Sequence, residues 1–382
     1  MTLLPRSTRR SFLGAAGAVA LAAVLAPRAS AQAPLVGPSA TPVPSPLPVG
    51  PGAPYSGYQS EIYIAGMGFG NRPPFTTNLA GLEAAAARVL PDAAERHLLQ
   101  WAGGAAAVRA NAEALERWRI VPRMFVDREK RPTTTTLFGT RMPAPILLGP
   151  VGRQDLAHRE AEGASARAAA VTGLTYVHAS SGSAPIEGVA LAAPLVPRWF
   201  AVDWPGRGGP DAALLRRARL SGCTVLLLGA PQPGADWAPL NAVRAAWDGP
   251  VVLGGIQTAE DARAALRRGV DGVLVSNERG RRGAEPIGTI DALPAVVDAV
   301  AGTVPVLFGS GVRTGTDVYR ALALGADAVV LGRPYVHGLA LGNGAAGVEH
   351  VLRTLLAELD ITLAVAGARN LAELGRDALV RT

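Results

Sequence analysis

Eight short apolar segments recur along the chain from about residue 145, and their regular spacing constrains the fold more than any other feature. Each segment is continuously apolar, which is typical of parallel strands buried on both faces. The spacing of roughly 25 residues leaves room for a loop and a helix after each strand. The segments are 146–150, 175–179, 199–202, 224–228, 250–253, 272–276, 304–308 and 328–332.

The sequence between these segments is rich in Ala and Arg and often reaches a glycine shortly before the next strand. Residues 268–275 and 324–331 show this pattern, in which the glycine ends a helix. Eight such units close naturally into a (β/α)8 TIM barrel, which is the α/β fold that we predict. An open, doubly wound sheet is the alternative. No GxGxxG motif follows a first strand, which argues against a dinucleotide-binding Rossmann unit.

Further elements are expected on either side of the barrel. Residues 79–119 are predicted to form an N-terminal helical extension, with Asn78 or Thr77 as its cap. Phe125-Val126 and residues 133–138 are predicted to form a small hairpin before the first barrel strand. Two C-terminal helices are expected at 346–359 and 371–379.

Residues 1–31 have the pattern of a signal peptide. Arg9-Arg10 precedes Phe12-Leu13 and an Ala-rich apolar run, and Ala29-Ser30-Ala31 provides a small-x-small cleavage site. The paired arginines favour the twin-arginine route, with an ordinary secretory signal as the alternative. The apolar run is too short for a stable membrane span. We therefore expect an exported protein, either periplasmic or extracellular.

Two segments are predicted after the signal peptide. Residues 32–54 are rich in Pro, Gly and Ser and are predicted to form an extended linker. Residues 79–382 are predicted to form the barrel domain.

Composition narrows the classes of ligand. The chain has a formal charge of +7, and Lys130 is its only lysine, so the basic residues are scattered arginines with no nucleic-acid motif. We expect no nucleic-acid binding. Cys223, the only cysteine, lies in an apolar run and is predicted to be part of the core. The five histidines show no spacing typical of metal ligands, so we predict no metal site.

Two glycine-arginine loops follow the seventh and eighth predicted strands, where TIM barrels commonly bind phosphate. They are 309–316 and 332–334, and they contain Arg313 and Arg333. Glycine allows backbone N–H groups to approach a phosphate, and arginine adds charge and paired donors. The loops therefore predict a phosphorylated ligand, which leaves FMN, a sugar phosphate and a nucleotide open. The alternative is that the glycines only form turns and the arginines are solvated.

The segment 311–327, followed by Leu-Gly-Arg-Pro at 331–334, resembles the FMN-dependent 2-hydroxy-acid oxidases and lactate dehydrogenases. The resemblance covers roughly residues 80–380 and includes 122–127 and 143–146. It implies FMN at the carboxyl ends of the strands, a small-molecule substrate such as a 2-hydroxy acid, and a homo-oligomer. It also implies that FMN contacts Pro150, Val151, Gly152, Ser180, Ser276, Gly311, Arg313, Gly332 and Arg333, and that Arg281 binds the substrate carboxylate.

The sequence departs from this family where the chemistry would occur. The family has Ser-Asn-His-Gly-Gly-Arg with a catalytic histidine, whereas this chain has Glu278 at that position. Gly254 stands where the family has a lysine near the flavin, and Gln100 and Asp203 replace two tyrosines. We therefore predict an FMN-binding oxidoreductase with altered or reduced catalysis. The alternative is a barrel that binds flavin or another phosphate ligand without redox catalysis.

Three residues are candidates for the catalytic roles. Glu278 either acts as the base or pairs with the neighbouring arginines, which would lower its pKa. His178, at the end of the second predicted barrel strand, is a replacement base if it projects into the barrel mouth; the alternative is a core histidine. Arg281 is the third candidate. Arg153 offers a substitute cation beside the flavin or, alternatively, a surface arginine.

Overall fold

The computed structural model describes residues 55–382, except for 71, 127–130, 207–208, 232–233 and 278–286. The predicted signal peptide and linker lie outside these residues. No helix within the described part of the chain is both long and apolar enough to span a membrane.

Within the described residues, twelve strands form one closed barrel and two small antiparallel sheets. The barrel has the strand order β10-β11-β4-β5-β6-β7-β8-β9, and all of its neighbouring strands are parallel. The strands are β1 (Trp118–Ile120), β2 (Thr135–Leu137), β3 (Thr140–Met142), β4 (Ile146–Leu148), β5 (Thr175–Ala179), β6 (Arg198–Val202), β7 (Cys223–Leu228), β8 (Val251–Gly254), β9 (Gly272–Val275), β10 (Val306–Gly309), β11 (Ala328–Leu331) and β12 (Leu379–Arg381).

A helix follows every barrel strand, so the predicted (β/α)8 TIM barrel is confirmed. Each barrel strand, β4–β11, coincides with one of the eight predicted segments. The helices are α1 (Gly57–Phe69), α2 (Leu82–Ala86), α3 (Asp92–Trp101), α4 (Ala105–Arg117), α5 (Ala161–Thr172), α6 (Ile186–Ala192), α7 (Ala212–Leu220), α8 (Ala238–Ala246), α9 (Ala259–Arg267), α10 (Thr289–Val300), α11 (Gly315–Ala323), α12 (Arg333–Leu341) and α13 (Ala345–Ala366).

The barrel strands are buried on both faces, which explains their continuous apolar sequence. Alternate residues such as Leu147, Val177 and Trp199 fill the barrel interior. Their neighbours along the strands, such as Tyr176 and Phe200, pack in the layer between barrel and helices. Because side chains alternate across a strand, one run of apolar residues supplies both layers. Cys223 is fully buried at the start of β7, as predicted, and burial raises the pKa of its thiol to about 12.

A hairpin closes the amino-terminal end of the barrel, but its strands differ from the prediction. Strands β2 and β3 pair with each other, whereas Phe125-Val126 forms no strand. Phe138 and Gly139, with φ of 46° and 76°, form the two-residue turn that such a hairpin requires. Leu137 and Met142 pack with the interior side chains. The opposite end of the barrel, formed by the strand carboxyl ends, remains accessible to a ligand.

The helical extension is present but divided. Asn78 begins it as predicted, because its side chain accepts a hydrogen bond from the Ala80 backbone N–H at 3.1 Å. Pro91 separates α2 from α3, and the positive-φ pair Gly103-Gly104 separates α3 from α4. The expected helix at 371–379 is wrong: this segment forms two short 3-10 turns before β12, which pairs with β1.

Helix α1, which was not predicted, extends the folded region before residue 79. The backbone N–H of Ser56 donates to Asp360 Oδ2 at 2.9 Å, and Tyr58 Oη lies 2.7 Å from His350 Nδ1. Glu61 and Arg353 form an ion pair at 2.5 Å. These contacts attach α1 to the long helix α13.

Candidate cofactor and active site

The two glycine-arginine loops meet at the barrel mouth. Arg313 Nε lies 3.3 Å from Glu83 Oε2, and Arg333 Nη1 lies 2.5 Å from Glu83 Oε1. One carboxylate therefore holds both guanidinium groups. A cleft, which we call the Gly-Arg cleft, is lined by Ala102, Asn111, Gly149, Pro150, Val151, Ser310, Gly311, Val312, Arg313, Val330, Gly332 and Arg333.

The loop after β10 is shaped by glycine and by a helix cap. Gly311 has φ of 89°, and a Cβ there would lie 2.8 Å from Asn111 Cβ, so a larger residue would meet both strain and contact. The backbone N–H groups of Arg313 and Thr314 both donate to Asp317 Oδ2 at 3.0 Å. The Thr314 side chain accepts from the Asp317 N–H, which completes a capping box. Arg313 is thus fixed at the start of α11.

The loop after β11 leads directly into α12. Its N-cap, Gly332, supplies no side chain to cap the helix, and the space where its Cβ would be is open. A helix start without a side-chain cap presents backbone N–H groups that suit an anion. Arg333 is the first residue of this helix and is only 9% exposed. Backbone donors and two guanidinium groups therefore surround one end of the Gly-Arg cleft.

The charges at this end favour an anion. Burial, followed by the nearby Arg313, lowers the pKa of Arg333 to about 10, so it remains a cation at neutral pH. Burial raises the pKa of Glu83, but Arg333 and Arg313 outweigh it and lower the pKa overall. His337, one turn along α12, is neutral because burial lowers its pKa to about 3. Two cations, one anion and a neutral imidazole leave a net positive charge.

The segment 149–152 crosses the middle of the mouth and is held by its backbone. The Gly149 N–H donates to Leu331 O at 2.7 Å, and Tyr335 Oη donates to Gly149 O at 2.7 Å. Gln154 Nε2 donates to Val151 O at 2.9 Å. His97 Nε2 lies 3.1 Å from Gly152 O.

Sequence reasoning missed the three side chains that hold this segment. Gln154 lies two residues after the segment, but His97 comes from α3 and Tyr335 from α12. No local pattern pairs residues so far apart in the chain. The Gln154 side chain is itself held in place, because its Oε1 accepts from Ser165 Oγ at 2.7 Å.

A second cleft continues from Pro150 over the top of the barrel. We call it the Gly-Ala cleft, because small residues dominate its lining: Pro150, Ala179, Ala201, Val202, Asp203, Leu227, Gly229, Ala230, Gly254, Gly255, Leu274 and Ser276. Gly255 has φ of 80°, and a Cβ there would lie 2.2 Å from Ala230 Cβ. None of the described lining residues is Lys, Arg or His, so Gly254 leaves no cation where the resemblance places a lysine.

Not all of the remaining predicted cofactor contacts line the two clefts. Ser276 lines the Gly-Ala cleft, and its carbonyl accepts from Gln257 Nε2 at 3.0 Å. Gly152 packs tightly, since a Cβ there would lie 2.5 Å from Ser181 Oγ. Ser180 is exposed after β5 and lines neither cleft. Arg153 is also exposed and pairs with Asp155 at 2.9 Å, so it does not supply a cation to the clefts.

His178 takes the alternative position, in the core, and does not project into the barrel mouth. His178 lies on the outer face of β5, only 3% exposed, with its ring stacked on Phe200 at 5.9 Å between centroids. Its Nδ1 has no hydrogen-bond partner among the residues that the structure describes. Burial lowers its pKa to about 4, so the ring is neutral. It occupies the layer between barrel and helices, away from both clefts.

Glu278 and Arg281 lie outside the described residues, in the segment 278–286. The residues on either side of that segment are held together by Asn111 of α4. Asn111 Nδ2 donates to Asn277 Oδ1 at 2.9 Å, and Asn111 Oδ1 accepts from the Thr289 N–H at 2.9 Å and from Thr289 Oγ1 at 2.7 Å. Asn111 was not recognised from the sequence. Within the described ranges, no group of three or more His, Cys, Asp or Glu side chains is placed to hold a metal ion.

Comparison with known proteins decides the family. The model of the FMN-dependent dehydrogenase family matches residues 86–233 and 229–381. The chain belongs to this family. An FMN-dependent alpha-hydroxy acid dehydrogenase, qulF, from Penicillium citrinum is 33% identical, over 86% of this chain and 96% of the relative. The L-lactate oxidase of Lysinibacillus sphaericus is 32% identical, over 81% and 94%.

Solved structures agree with this assignment. A crystal structure of mandelate oxidase with (S)-2-phenylpropionate is 34% identical and matches with a TM-score of 0.73, covering 81% of this chain and 99% of that chain. The family and its relatives indicate FMN as the cofactor of this chain.

The residues of the site fit the phosphate end of FMN better than they fit its ring system. In the Gly-Arg cleft, the two arginines and the uncapped start of α12 suit the phosphate. In the Gly-Ala cleft, small apolar residues leave room for a flat ring system, but the described lining provides no cation beside it. The two clefts meet at Pro150, so they suit one elongated ligand with a charged end and a flat end.

Proposed function

We propose that this protein is an exported, FMN-dependent oxidoreductase that acts on a small 2-hydroxy acid with altered or reduced catalysis. The two contiguous clefts that meet at Pro150 are the observation that carries the proposal. The names of the relatives support the substrate class, since an L-lactate oxidase and a mandelate oxidase are among them. The altered catalysis is inferred from Glu278 and Gly254, which stand where the family has a histidine and a lysine.

The roles of Arg313 and Arg333 are inferred from their positions, and those of Arg281 and Glu278 from the family resemblance. Arg313 and Arg333 would hold the phosphate, and the backbone of 149–152 would lie against the flavin. FMN, when bound, would accept two electrons and one proton from the substrate as the hydroxyl-bearing carbon becomes a carbonyl carbon. Arg281 would bind the substrate carboxylate, a task suited to a bidentate guanidinium. Glu278 would take the second proton that leaves the substrate, as a weaker base than histidine at neutral pH.

The missing lysine explains why slow catalysis is expected. A cation placed beside developing negative charge commonly contributes several kcal/mol to transition-state stabilisation. Gly254 lies in the Gly-Ala cleft, and a Cβ there would make only ordinary contacts, the nearest being 3.4 Å to Leu228 O. The position therefore has room for a side chain, and the loss of the cation is not forced by crowding.

A second candidate function is a flavin-binding protein without this redox reaction. The observation that favours it is the Gly-Ala cleft, whose described lining lacks a basic side chain. This candidate keeps the phosphate site and the cofactor. It differs from the first in what happens when a 2-hydroxy acid is added.

Bleaching of the flavin absorbance by a 2-hydroxy acid distinguishes the two candidate functions. The protein beginning at residue 32 is purified, its flavin absorbance is recorded, and L-lactate, glycolate and (S)-mandelate are added without oxygen. Bleaching by at least one acid is expected for the oxidoreductase. A yellow protein that none of them bleaches would favour the second candidate, and a chain that neither contains nor takes up FMN would refute both.

Two variants test the proposed chemistry. Gly254→Lys is expected to speed bleaching, while Gly254→Met controls for side-chain size without charge. Glu278→Gln is expected to abolish bleaching, with Glu260→Gln, on the exposed start of α9, as the matched control. An unchanged bleaching rate in Glu278→Gln would contradict its role as the base.

Export is tested separately from catalysis. Replacement of Arg9-Arg10 by two lysines is expected to keep the full-length chain in the cytoplasm, because the twin-arginine route requires the arginine pair. Fractionation of the producing cells measures this. Continued export of the lysine variant would instead indicate the ordinary secretory route.

A further inference from the structure

Glu83 joins the helical extension to the cofactor site. It lies in the first turn of α2, between Leu82 and Ala86, which are both buried. Its two carboxylate oxygens bind Arg313 and Arg333, which follow it by 230 and 250 residues. Neither the resemblance nor the sequence pattern singled out this residue.

Glu83 binds the arginines from outside the cleft. Arg313 and Arg333 line the Gly-Arg cleft, whereas Glu83 is not among the described residues that do so. Glu83 takes the Nε donor of Arg313 and one Nη donor of Arg333, while Arg313 Nη1 also donates to Val312 O at 3.0 Å. A guanidinium group carries five N–H donors. Further donors of each arginine therefore remain for a ligand that approaches from the cleft.

The arginines need a counter-charge to stay in place. They lie close enough for Arg313 to lower the pKa of Arg333, which shows that the two cations repel each other. Arg333 is 9% exposed, so water screens this repulsion poorly. The pKa of Glu83 is lowered by both arginines, so its carboxylate remains ionised. It therefore offsets the repulsion and fixes one donor of each guanidinium group.

We propose that Glu83 is a positioning residue for the FMN phosphate: it holds Arg313 and Arg333 in the binding geometry and makes retention of FMN depend on the docking of α2. The proposal rests on FMN as the cofactor. Glu83 touches the arginines and not the ligand. Its removal should therefore change the affinity for the phosphate and leave the affinity for the rest of the flavin unchanged.

The test is a titration of the apoprotein with FMN and with riboflavin, which lacks the phosphate, followed by quenching of flavin fluorescence. Glu83→Ala is expected to raise the Kd for FMN by roughly tenfold, the usual effect of losing a hydrogen bond to a charged group. Glu83→Gln, whose single amide oxygen can bind one arginine, should be intermediate. The Kd for riboflavin should not change in either variant.

Glu61→Ala is the matched control, because Glu61 lies in α1, which also precedes the barrel, and forms an ion pair with Arg353 of α13. It should leave the Kd for FMN unchanged. If Glu61→Ala and Glu83→Ala weakened FMN binding equally, the effect would come from general loosening of the helices that precede the barrel, and the proposal would be overturned.

Two further results would also overturn it. Tighter FMN binding by Glu83→Ala would show that the carboxylate competes with the phosphate, and an unchanged Kd would show that the ion pairs have no role in binding. If the wild-type apoprotein bound no FMN, the cofactor assignment itself would be refuted. This result can be distinguished from failure of the Glu83 proposal, in which the wild type binds FMN but the variants do not show the expected differences in Kd. The rise in melting temperature on adding FMN gives a second readout, expected to be smaller in Glu83→Ala.

Discussion

Gly311 is expected to be one of the least replaceable residues of the cofactor site. Its φ of 89° would cost an alanine about 1–2 kcal/mol. The new Cβ would also lie 2.8 Å from Asn111 Cβ and 3.0 Å from Leu115 Cδ1. Asn111 cannot easily move aside, because Asn277 and Thr289 hold its side chain. Overpacking of this kind costs about 1–3 kcal/mol, so Gly311→Ala should lower the free energy of unfolding by about 2–5 kcal/mol.

Gly302→Ala separates the two contributions. Gly302 also has a positive φ, 72°, but a Cβ there would meet nothing within 4 Å. This variant should therefore lose only the backbone contribution of about 1–2 kcal/mol. Equilibrium unfolding of the apoproteins in urea measures both free energies.

Binding provides the second measurement for this pair of variants. Gly311→Ala should weaken FMN binding as well, since Gly311 lines the Gly-Arg cleft two residues before Arg313, whereas Gly302→Ala should not. Equal losses of stability in the two variants would refute the steric argument, and unchanged FMN affinity in Gly311→Ala would refute its link to the site.

Substitutions at three further residues test polar groups that are buried or partly buried. Asn111→Ala should lower the free energy of unfolding by about 2–4 kcal/mol, because the backbone N–H and hydroxyl of Thr289 lose their acceptor; Asn111→Asp, which keeps it, should cost less in the same urea assay. His178 has its pKa lowered to about 4 by burial, so the unfolded chain binds its proton first as the pH falls below 6.5. From pH 7 to pH 5 the free energy of unfolding should therefore fall by about 2 kcal/mol more in the wild type than in His178→Leu. Parallel pH profiles of this free energy in the two proteins would contradict the argument. Glu358 has its pKa raised to about 7, chiefly by burial, so its contribution to stability is present below pH 4.5 and lost as the pH rises through 7. Between pH 5 and pH 8, stability should fall more in the wild type than in Glu358→Gln, whose amide oxygen can still accept from the Gly315 N–H.

The sequence by itself determined the barrel and one end of the site. Eight apolar runs at a regular interval predict parallel strands that are buried on both faces, and their number favours a closed barrel over an open, doubly wound sheet. The loops with Arg313 and Arg333 follow β10 and β11, and the parallel pairing of these two strands places both loops at the same end of the barrel. The turn chemistry around Asn78 is local in the same way, because the cap and the N–H that it accepts from are two residues apart.

Only the tertiary structure decided the rest. His178 lies on a strand whose residues are all buried, so the sequence pattern carries no information about which face it occupies. Strand β2 pairs with β3 and not with the predicted Phe125-Val126, because the turn at Phe138-Gly139 brings β3 back beside it. Glu83 meets its arginines across more than half of the chain, and such a contact arises from packing of α2 against α12. Local patterns predict elements and their order, whereas long-range side-chain contacts depend on how those elements pack.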